Sequence, residues 1–531
     1  MHLFSRRLFR FPGRALLLGL LVAGALRAAA TADDGPLATT TAGRIRGFVD
    51  QGVNGFKGIP YGADTADHRF QAPRPPAPWD GVCACRAFGP MAPQTGGRTG
   101  AGVGEDCLNL NVWTPALHDG GRRPVLVYFH GGAYNNGTVN SDLYDGGNLC
   151  RRGNVVVVTV NHRLNGFGFL CLDELGGPEY AGSGNAGMLD LVLALRWVHD
   201  NITEFGGDPG CVTIFGQSGG GAKCATLMAM PAAHGLFQRV WTMSGQQLVG
   251  RTRAHATETA RAVLAKLGVA PGHLEALQTL PREQLEAAMR GETWTPVVDG
   301  TVLPRDPFTP DAPPLSADIP MVLGNTHDET TYLIGRGEPA LFNLTWTELP
   351  DALRRHASQF IGTLSPDAIV AAYRSWYPAY SPSDVFFAAT TAARSWRGML
   401  LECERRGRQG APTYAYYLDW RSPLDGGKWG APHTLDIPLV YANTAAGDGQ
   451  TGYPPSGDGP EARQMADLMS GALLAFARTG NPQTPQLPPW PRFNPARRPA
   501  MIFDLPPRVE DDPRGNERRL FAPVFYAQPG A

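Results

Sequence analysis

The sequence lacks the features that mark membrane and nucleic-acid-binding proteins. After Leu26 no segment is both long enough and apolar enough to span a bilayer, so we expect no stable membrane insertion. The 47 basic and 48 acidic side chains leave a formal net charge of -1, without a long run of either sign. This balance gives no electrostatic reason to expect nucleic acid as a partner.

Cysteine is scarce, and its spacing is not that of a zinc site. Cys83 and Cys85 would face opposite sides of a strand, which makes them a poor mutual pair, and the disulfide pairing stays open. No internal repeat is visible, and a composition of 43% hydrophobic and 18% charged residues is typical of a large globular protein. The eight cysteines are Cys83, Cys85, Cys107, Cys150, Cys171, Cys211, Cys224 and Cys403.

The first 32 residues have the order of an export signal. Four arginines between Arg6 and Arg14 precede the apolar run Ala15–Leu26, and small residues follow before Asp33. This order predicts a signal peptide over residues 1–32, and residues 5–10 resemble a twin-arginine signal, with an ordinary secretory signal as the alternative. We therefore expect an exported protein in which residues 33–531 form a single domain.

A serine in a glycine-rich turn lies between a predicted strand and a predicted helix. Ser218 is the centre of Gly216-x-Ser218-x-Gly220, after the apolar run Cys211–Phe215 and before a helical segment that reaches about Met230. A strand-to-helix turn of this kind can expose a serine Oγ as a nucleophile. Alone the pattern is weak, because a chain with 65 glycines can contain it by chance.

The surrounding pattern alternates strands with helices, which predicts an α/β fold with a mostly parallel sheet. Beyond residue 250 the chain becomes more helical, and we expect helical insertions within the one domain. The predicted strands are Pro124–Phe129, Val155–Val160, Cys211–Phe215, Arg239–Ser244, Ile319–Leu323 and Thr413–Leu418. The predicted helices are Ala186–Val198, Ala256–Leu267, Pro366–Trp376, Ala388–Arg405 and Glu461–Arg478.

A serine nucleophile needs N–H donors for the oxyanion that it creates. The stretch His130-Gly131-Gly132-Ala133 directly follows a predicted strand, and its glycines allow backbone N–H groups to approach a substrate oxygen. The N–H of Gly219, next to the serine, is a further candidate donor. The alternative is an ordinary glycine turn after a strand.

The base and the acid stay open on the residues alone. A hydrolase sheet of this type carries serine, acid and histidine in that chain order, which favours histidines well beyond Ser218. His433 lies in a loop, with His327, His356 and His273 as its rivals. Asp328 and Glu329 both follow a predicted strand and are equal candidates for the acid.

From about Gly43 to Trp490 the chain resembles the type-B carboxylesterases, the α/β-hydrolase family that includes the cholinesterases. The resemblance implies the α/β-hydrolase fold, a central mostly parallel β-sheet flanked by helices, with helical insertions that form a substrate gorge from about Asp328 to Trp429 and around Trp294. The blocks that carry it are Phe56–Tyr61, Arg69-Phe70, Glu105–Val112, Asn185-x-Gly187-x-x-Asp190, Phe205–Pro209, Val212–Gly220, Pro296–Gly300 and Phe476–Pro482.

The resemblance also assigns roles to residues. It implies a catalytic triad of Ser218, Glu329 and His433. It implies an oxyanion hole formed by Gly131, Gly132 and Gly219. The charged pairs Arg69 with Glu105 and Arg163 with Asp190 are then structural ion pairs rather than catalytic groups.

Four positions or segments depart from the family pattern. Gln217 stands where the family usually has glutamate, which removes a negative charge and weakens any expectation of a cationic substrate. Gly219 replaces the common alanine. The usual partner of Cys107 is missing near Met91, and the neighbouring loop has no tryptophan, so we do not expect a cholinesterase.

The expected activity is hydrolysis of small-molecule carboxylic esters through an acyl-enzyme, with no metal or cofactor required. An amidase, a carbamate hydrolase or an acyltransferase could use the same triad. A non-catalytic adhesion or binding protein of the same fold is a further alternative, because fold alone does not determine function.

Overall fold

The computed structural model describes residues 35–94, 102–447 and 456–529, and the predicted signal peptide lies outside these residues. The part of the chain from Pro36 onward forms one compact unit. No helix in the described part is both long and apolar enough to cross a membrane.

Sixteen strands are present in the described residues: β1 (Leu37–Thr39), β2 (Arg44–Arg46), β3 (Phe48–Asp50), β4 (Val53–Pro60), β5 (Val82–Ala84), β6 (Asn109–Thr114), β7 (Arg123–Phe129), β8 (Val156–Val160), β9 (Gly207–Gln217), β10 (Arg239–Met243), β11 (Arg251–Thr252), β12 (Val297–Val298), β13 (Met321–Thr326), β14 (Thr413–Leu418), β15 (Pro499–Phe503) and β16 (Arg508–Asp511).

The same residues contain thirteen α-helices: α1 (Gly147–Gly153), α2 (Asn165–Phe169), α3 (Ala186–Asn201), α4 (Gly219–Leu227), α5 (Arg253–Leu267), α6 (Arg282–Met289), α7 (Leu349–Ile361), α8 (Pro366–Trp376), α9 (Pro382–Thr391), α10 (Arg397–Gln409), α11 (Asp436–Tyr441), α12 (Pro460–Thr479) and α13 (Gly515–Phe521). Two five-residue π-helical segments are also present, Thr331–Gly335 and Ala392–Trp396.

The predicted mostly parallel sheet is confirmed. Eleven strands form it, and their order across the sheet is β16-β15-β14-β13-β10-β9-β7-β8-β6-β4-β3. The seven from β8 to β15 in that order run parallel, while β6, β4, β3 and β16 add antiparallel edges. The carboxyl ends of the parallel strands therefore meet at one edge of the sheet.

Two apolar layers cover the faces of the sheet, which explains the unbroken apolar runs. In β7, Val125, Val127 and Phe129 pack into one core cluster, while Leu126 and Tyr128 pack into the other. Since successive side chains of a strand point to opposite faces, a strand covered on both sides must be apolar at every position.

The segment predicted as one helix, Ala388–Arg405, is longer and interrupted. It runs as α9, then the π-helical segment Ala392–Trp396, then α10. The insertion expected from about Asp328 to Trp429 contains these helices with α7 and α8, but also the central strand β14.

Both ion pairs expected from the resemblance are present and buried. Arg163 Nη2 lies 2.6 Å from Asp190 Oδ1, and Arg69 Nη2 lies 2.7 Å from Glu105 Oε1. All eight cysteines are free thiols, so neither Cys83 nor Cys85 substitutes for the missing partner of Cys107.

Candidate active site

Ser218 lies on a strained turn between β9 and α4. Its backbone has φ 57° and ψ -126°, a conformation rarely adopted by residues other than glycine. Gly220 allows the tight crossing, because a Cβ there would come within 1.9 Å of the Phe129 carbonyl oxygen. The strain and the glycine contact together hold the Ser218 side chain at the carboxyl end of the sheet.

Ser218 and His433 line the same cavity. The cavity wall also contains Leu333, Arg394, Ser395 and Gln528, which no sequence motif indicated. Thr295 lines the wall, whereas its neighbour Trp294, expected in the gorge, is buried.

Glu329 contacts the histidine on the side away from the cavity. Its Oε2 pairs with His433 Nδ1, and its Oε1 accepts from Asn325 Nδ2 and the Thr326 N–H, each at 3.0 Å, and from the Ser244 hydroxyl. Burial alone would raise the pKa of Glu329, but the charge and hydrogen bond of His433, with the other donors, hold that pKa below its ordinary value. The carboxylate is therefore ionised and orients the imidazole through Nδ1, so Nε2 is the nitrogen of His433 that Glu329 does not bind.

Asp328, the other acid candidate, fixes the loop that carries His433. Its backbone N–H donates to the Ala431 carbonyl at 2.8 Å, and its Oδ2 accepts from the Ala431 N–H at 2.9 Å. Its Oδ1 lies 2.9 Å from Nδ1 of His327, so His327 pairs with Asp328 and not with Glu329. The remaining rivals pair elsewhere, His356 with Glu338 and His273 with Glu275.

Backbone N–H groups converge beside Ser218. Those of Gly131, Gly132, Ala133 and Gly219 donate to no acceptor among the described residues. Ala133 and Gly219 line the cavity and approach each other so closely that a Cβ on Gly219 would lie 2.5 Å from the Ala133 nitrogen. This contact explains why glycine occupies position 219, and it adds Ala133 to the candidate donors.

Gln217 places an amide beside the histidine. Its Nε2 lies 3.2 Å from His433 Nε2, where a glutamate would place a carboxylate. Because the amide is neutral, it adds no negative charge next to Ser218 and His433.

A buried lysine lies behind the glycine turn. Lys223 Nζ donates to the His130 carbonyl at 2.9 Å, and no described carboxylate is within salt-bridge distance. The rings of His130 and His162 stack beside it at 4.9 Å, and burial followed by the Lys223 charge lowers the pKa of both. The His130 carbonyl and the Gly131 N–H belong to one peptide group, so a cation on the oxygen strengthens the N–H as a donor.

We expect Lys223→Met to stabilise the protein in a pH-dependent way. Burial lowers the pKa of Lys223 from 10.5 to about 7, a difference that corresponds to about 5 kcal/mol. Between these pH values the unfolded chain binds more protons than the folded one, so the wild type gains stability as the pH rises. Relative to the wild type, Lys223→Met should therefore gain about 3 kcal/mol more at pH 6 than at pH 9.5. The lost hydrogen bond to the His130 carbonyl acts against this gain at both pH values.

Denaturant unfolding at the two pH values measures this difference. Lys266→Met, which removes an exposed lysine paired with Glu292, is the control and should show neither the gain nor its pH dependence. A gain that is the same at both pH values would contradict the assignment of the buried charge.

The chain is similar to known carboxylesterases over most of its length. The sequence pattern of the carboxylesterase family matches residues 34–521. The chain is 32% identical to the para-nitrobenzyl esterase of Bacillus subtilis, over 92% of this chain and 98% of that protein. It is 34% identical to the phenmedipham hydrolase of Pseudarthrobacter oxydans, over 88% and 94%.

The structure is similar to a solved bacterial enzyme. Superposition on a carboxylesterase of Geobacillus stearothermophilus gives a TM-score of 0.80 at 38% sequence identity, over 91% of this chain and 99% of that chain. The fold and the sequence are therefore both similar to those of carboxylesterases.

Proposed function

The chain belongs to the carboxylesterase family, and from that premise we propose that it cleaves esters in two steps through an acyl-enzyme on Ser218. Its α/β-hydrolase fold and its assignment as a carboxylic ester hydrolase follow from the matched family and relatives. The observation that best supports the two-step route is the shared cavity of Ser218 and His433, with Glu329 bound to the far nitrogen of His433.

In the first step the Ser218 Oγ attacks the ester carbonyl carbon while its proton passes to His433 Nε2. The carbonyl oxygen becomes an oxyanion and accepts hydrogen bonds from the glycine-turn N–H groups and from Gly219. One such donor is worth about 3 kcal/mol of the barrier. The C–O bond then breaks, and the leaving alkoxide takes the proton from His433.

In the second step water replaces the serine as nucleophile. His433 Nε2 takes a proton from the water as its oxygen attacks the acyl carbon, and the same N–H groups hold the second oxyanion. The Ser218–acyl bond breaks, Ser218 recovers its proton from His433, and the carboxylic acid leaves. Glu329 stays ionised and stabilises the imidazolium in both steps.

A phosphate triester that mimics the acylation step tests this route. We expect diethyl p-nitrophenyl phosphate to release about one equivalent of p-nitrophenolate, abolish ester turnover and leave a diethylphosphoryl group on Ser218. Mass spectrometry of the digested protein locates the group. Labelling of a different residue, or full turnover of p-nitrophenyl esters after labelling, would rule out the acyl-enzyme on Ser218.

The same site could act on amides or transfer the acyl group to an alcohol, and two measurements separate these activities. Matched p-nitroanilides and p-nitrophenyl esters from acetate to laurate compare the leaving groups and the acyl lengths. Product partition in the presence of added alcohol compares transfer with hydrolysis. We expect esters to be preferred over anilides and water over added alcohol.

We also propose that the protein is exported, to the periplasm or beyond the cell. The support is the charged, apolar and small residue order of residues 1–32, which lie outside the described residues. Cell fractionation and the N-terminal sequence of the mature protein test this proposal.

A further inference from the structure

The cavity around Ser218 contains a cation without a counter-ion. Arg394 lines the wall, and none of the described lining residues is aspartate or glutamate. Its recorded partners are weak for a charged group: the Ser395 hydroxyl 3.3 Å from Nη1, and the Phe360 ring at 5.9 Å. No described carboxylate lies within salt-bridge distance of it.

Arg394 is partly buried, and this weakens its contact with water without supplying a counter-ion. Burial lowers the pKa of Arg394, although the charges of Glu329 and Tyr526 act in the opposite direction. A guanidinium remains protonated under such conditions and keeps its need for hydrogen-bond acceptors. Among the described carboxylates, Glu329 interacts electrostatically with Arg394, but its own hydrogen bond goes to His433.

An irregular backbone turn brings Arg394 to the cavity. Arg394 and Ser395 lie in the π-helical segment Ala392–Trp396, between α9 and α10. The second π-helical segment, Thr331–Gly335, supplies Leu333 to the same wall. Because such widened turns are rare and occur frequently at functional sites, two of them on one cavity indicate a wall shaped for a ligand.

The rest of the wall adds no negative charge. Gln246, Gln247 and Gln528 are neutral amides, and Gln528 is held in place by its bonds to the Leu248 N–H and the Gln246 carbonyl. Gln217 is neutral where a glutamate would repel an anion. Among the described residues of the cavity wall, Arg394 is therefore the only one with a permanent charge.

We propose that Arg394 forms a carboxylate subsite, and that the preferred substrates are esters that carry a free carboxylate. This inference rests on the proposed ester hydrolysis at Ser218. Guanidinium and carboxylate form charge-assisted, often bidentate hydrogen bonds, which are stronger than neutral ones. The carboxylate can belong to the acyl part, as in a monoester of a dicarboxylic acid, or to the leaving alcohol.

Two pairs of isosteric esters test the subsite and distinguish the two positions. Monomethyl adipate and methyl adipamate differ only by carboxylate against amide on the acyl side. The esters 4-acetoxybenzoate and 4-acetoxybenzamide differ in the same way on the leaving side. We expect the wild type to show a kcat/KM ratio of about 10 or more in favour of the carboxylate for one pair.

Variants of two arginines from the same helical region show where the preference originates. Arg394→Gln should bring the ratio close to 1, and Arg394→Lys should keep part of it, since a lysine retains the charge without the bidentate geometry. Arg397→Gln removes an equal charge, but Arg397 binds the Val524 carbonyl and does not line the cavity. Its ratio should stay at the wild-type value.

Direct binding provides a measurement that does not depend on turnover. Calorimetric titration of Ser218→Ala with the four esters should show the same carboxylate preference. Two outcomes would overturn the subsite but not the proposed reaction. One is Ser218-dependent hydrolysis without any carboxylate preference, and the other is a carboxylate preference that persists in Arg394→Gln. Absence of hydrolysis for all four esters, with carboxylate binding intact, would overturn the proposed reaction and leave the subsite standing.

Discussion

Replacing Ser218 with alanine should lower kcat for ester hydrolysis by a factor of about 10⁵ to 10⁶. The alanine lacks the oxygen that forms the acyl bond, so only water remains to attack a bound ester. The fold should be retained, because the Ser218 hydroxyl donates no hydrogen bond to a described residue. Rates with p-nitrophenyl acetate and butyrate, corrected for spontaneous hydrolysis, measure the loss.

A serine outside the cavity serves as the control for this variant. Ser316 is buried, its hydroxyl has no hydrogen-bond partner among the described residues, and it does not line the cavity. Ser316→Ala should keep ester turnover within about threefold of the wild type, because it removes no hydrogen bond and no cavity contact. If Ser218→Ala retained more than a few per cent of the wild-type rate, the nucleophile would have to be another residue.

Replacing Glu329 with glutamine should lower kcat by a factor of about 10³ to 10⁴ while the protein stays folded. The amide can still contact His433, but it cannot stabilise the imidazolium that forms when the serine proton moves. It can also turn its NH₂ toward Nδ1 and favour the unsuitable tautomer of the imidazole. The measurement is kcat and KM at pH 7.5 with a short-chain p-nitrophenyl ester, and the loss should lie in kcat.

Glu402 serves as a control because its pKa is shifted in the opposite direction from that of Glu329. It is also fully buried, but burial raises its pKa to about 8, with its hydrogen bond from the Gln247 N–H acting against that shift. Because this pKa lies far above the ordinary carboxyl value, Glu402→Gln removes less charge near neutral pH than Glu329→Gln does, and it should change kcat by less than about threefold. Equal losses in the two variants would mean that Glu329 acts through packing rather than through its charge.

The central strands could be located from sequence because they are apolar on both faces. β14 coincides with the predicted Thr413–Leu418, and β7 begins one residue before the predicted start. The antiparallel strand β6 could not be located in this way, because Asn109 and Asn111 interrupt its apolar pattern. Those side chains are buried because they bond to neighbouring backbone and side-chain groups, a compensation that no local pattern reveals.

The residues of the site could be predicted from the sequence only in part. A serine between a strand and a helix predicts a nucleophile from local geometry, but four histidines competed for the base, and only the family resemblance selected His433. The structure places His433 against Glu329 and pairs the other three elsewhere. Arg394 could not be found at all, since its position depends on a π-helical turn inside a segment that reads as regular helix.

The proposed triad of Ser218, Glu329 and His433 lies at one edge of the sheet, so we expect enzymatic activity to report on global folding. Ser218 follows β9, Glu329 follows β13, and His433 follows β14, and no local fragment of the chain therefore holds all three residues. A chain in which the parallel strands have not yet paired cannot hydrolyse esters by this route. Recovery of turnover during refolding should therefore follow formation of the complete sheet, which makes a chromogenic ester a sensitive probe for the last stage of assembly.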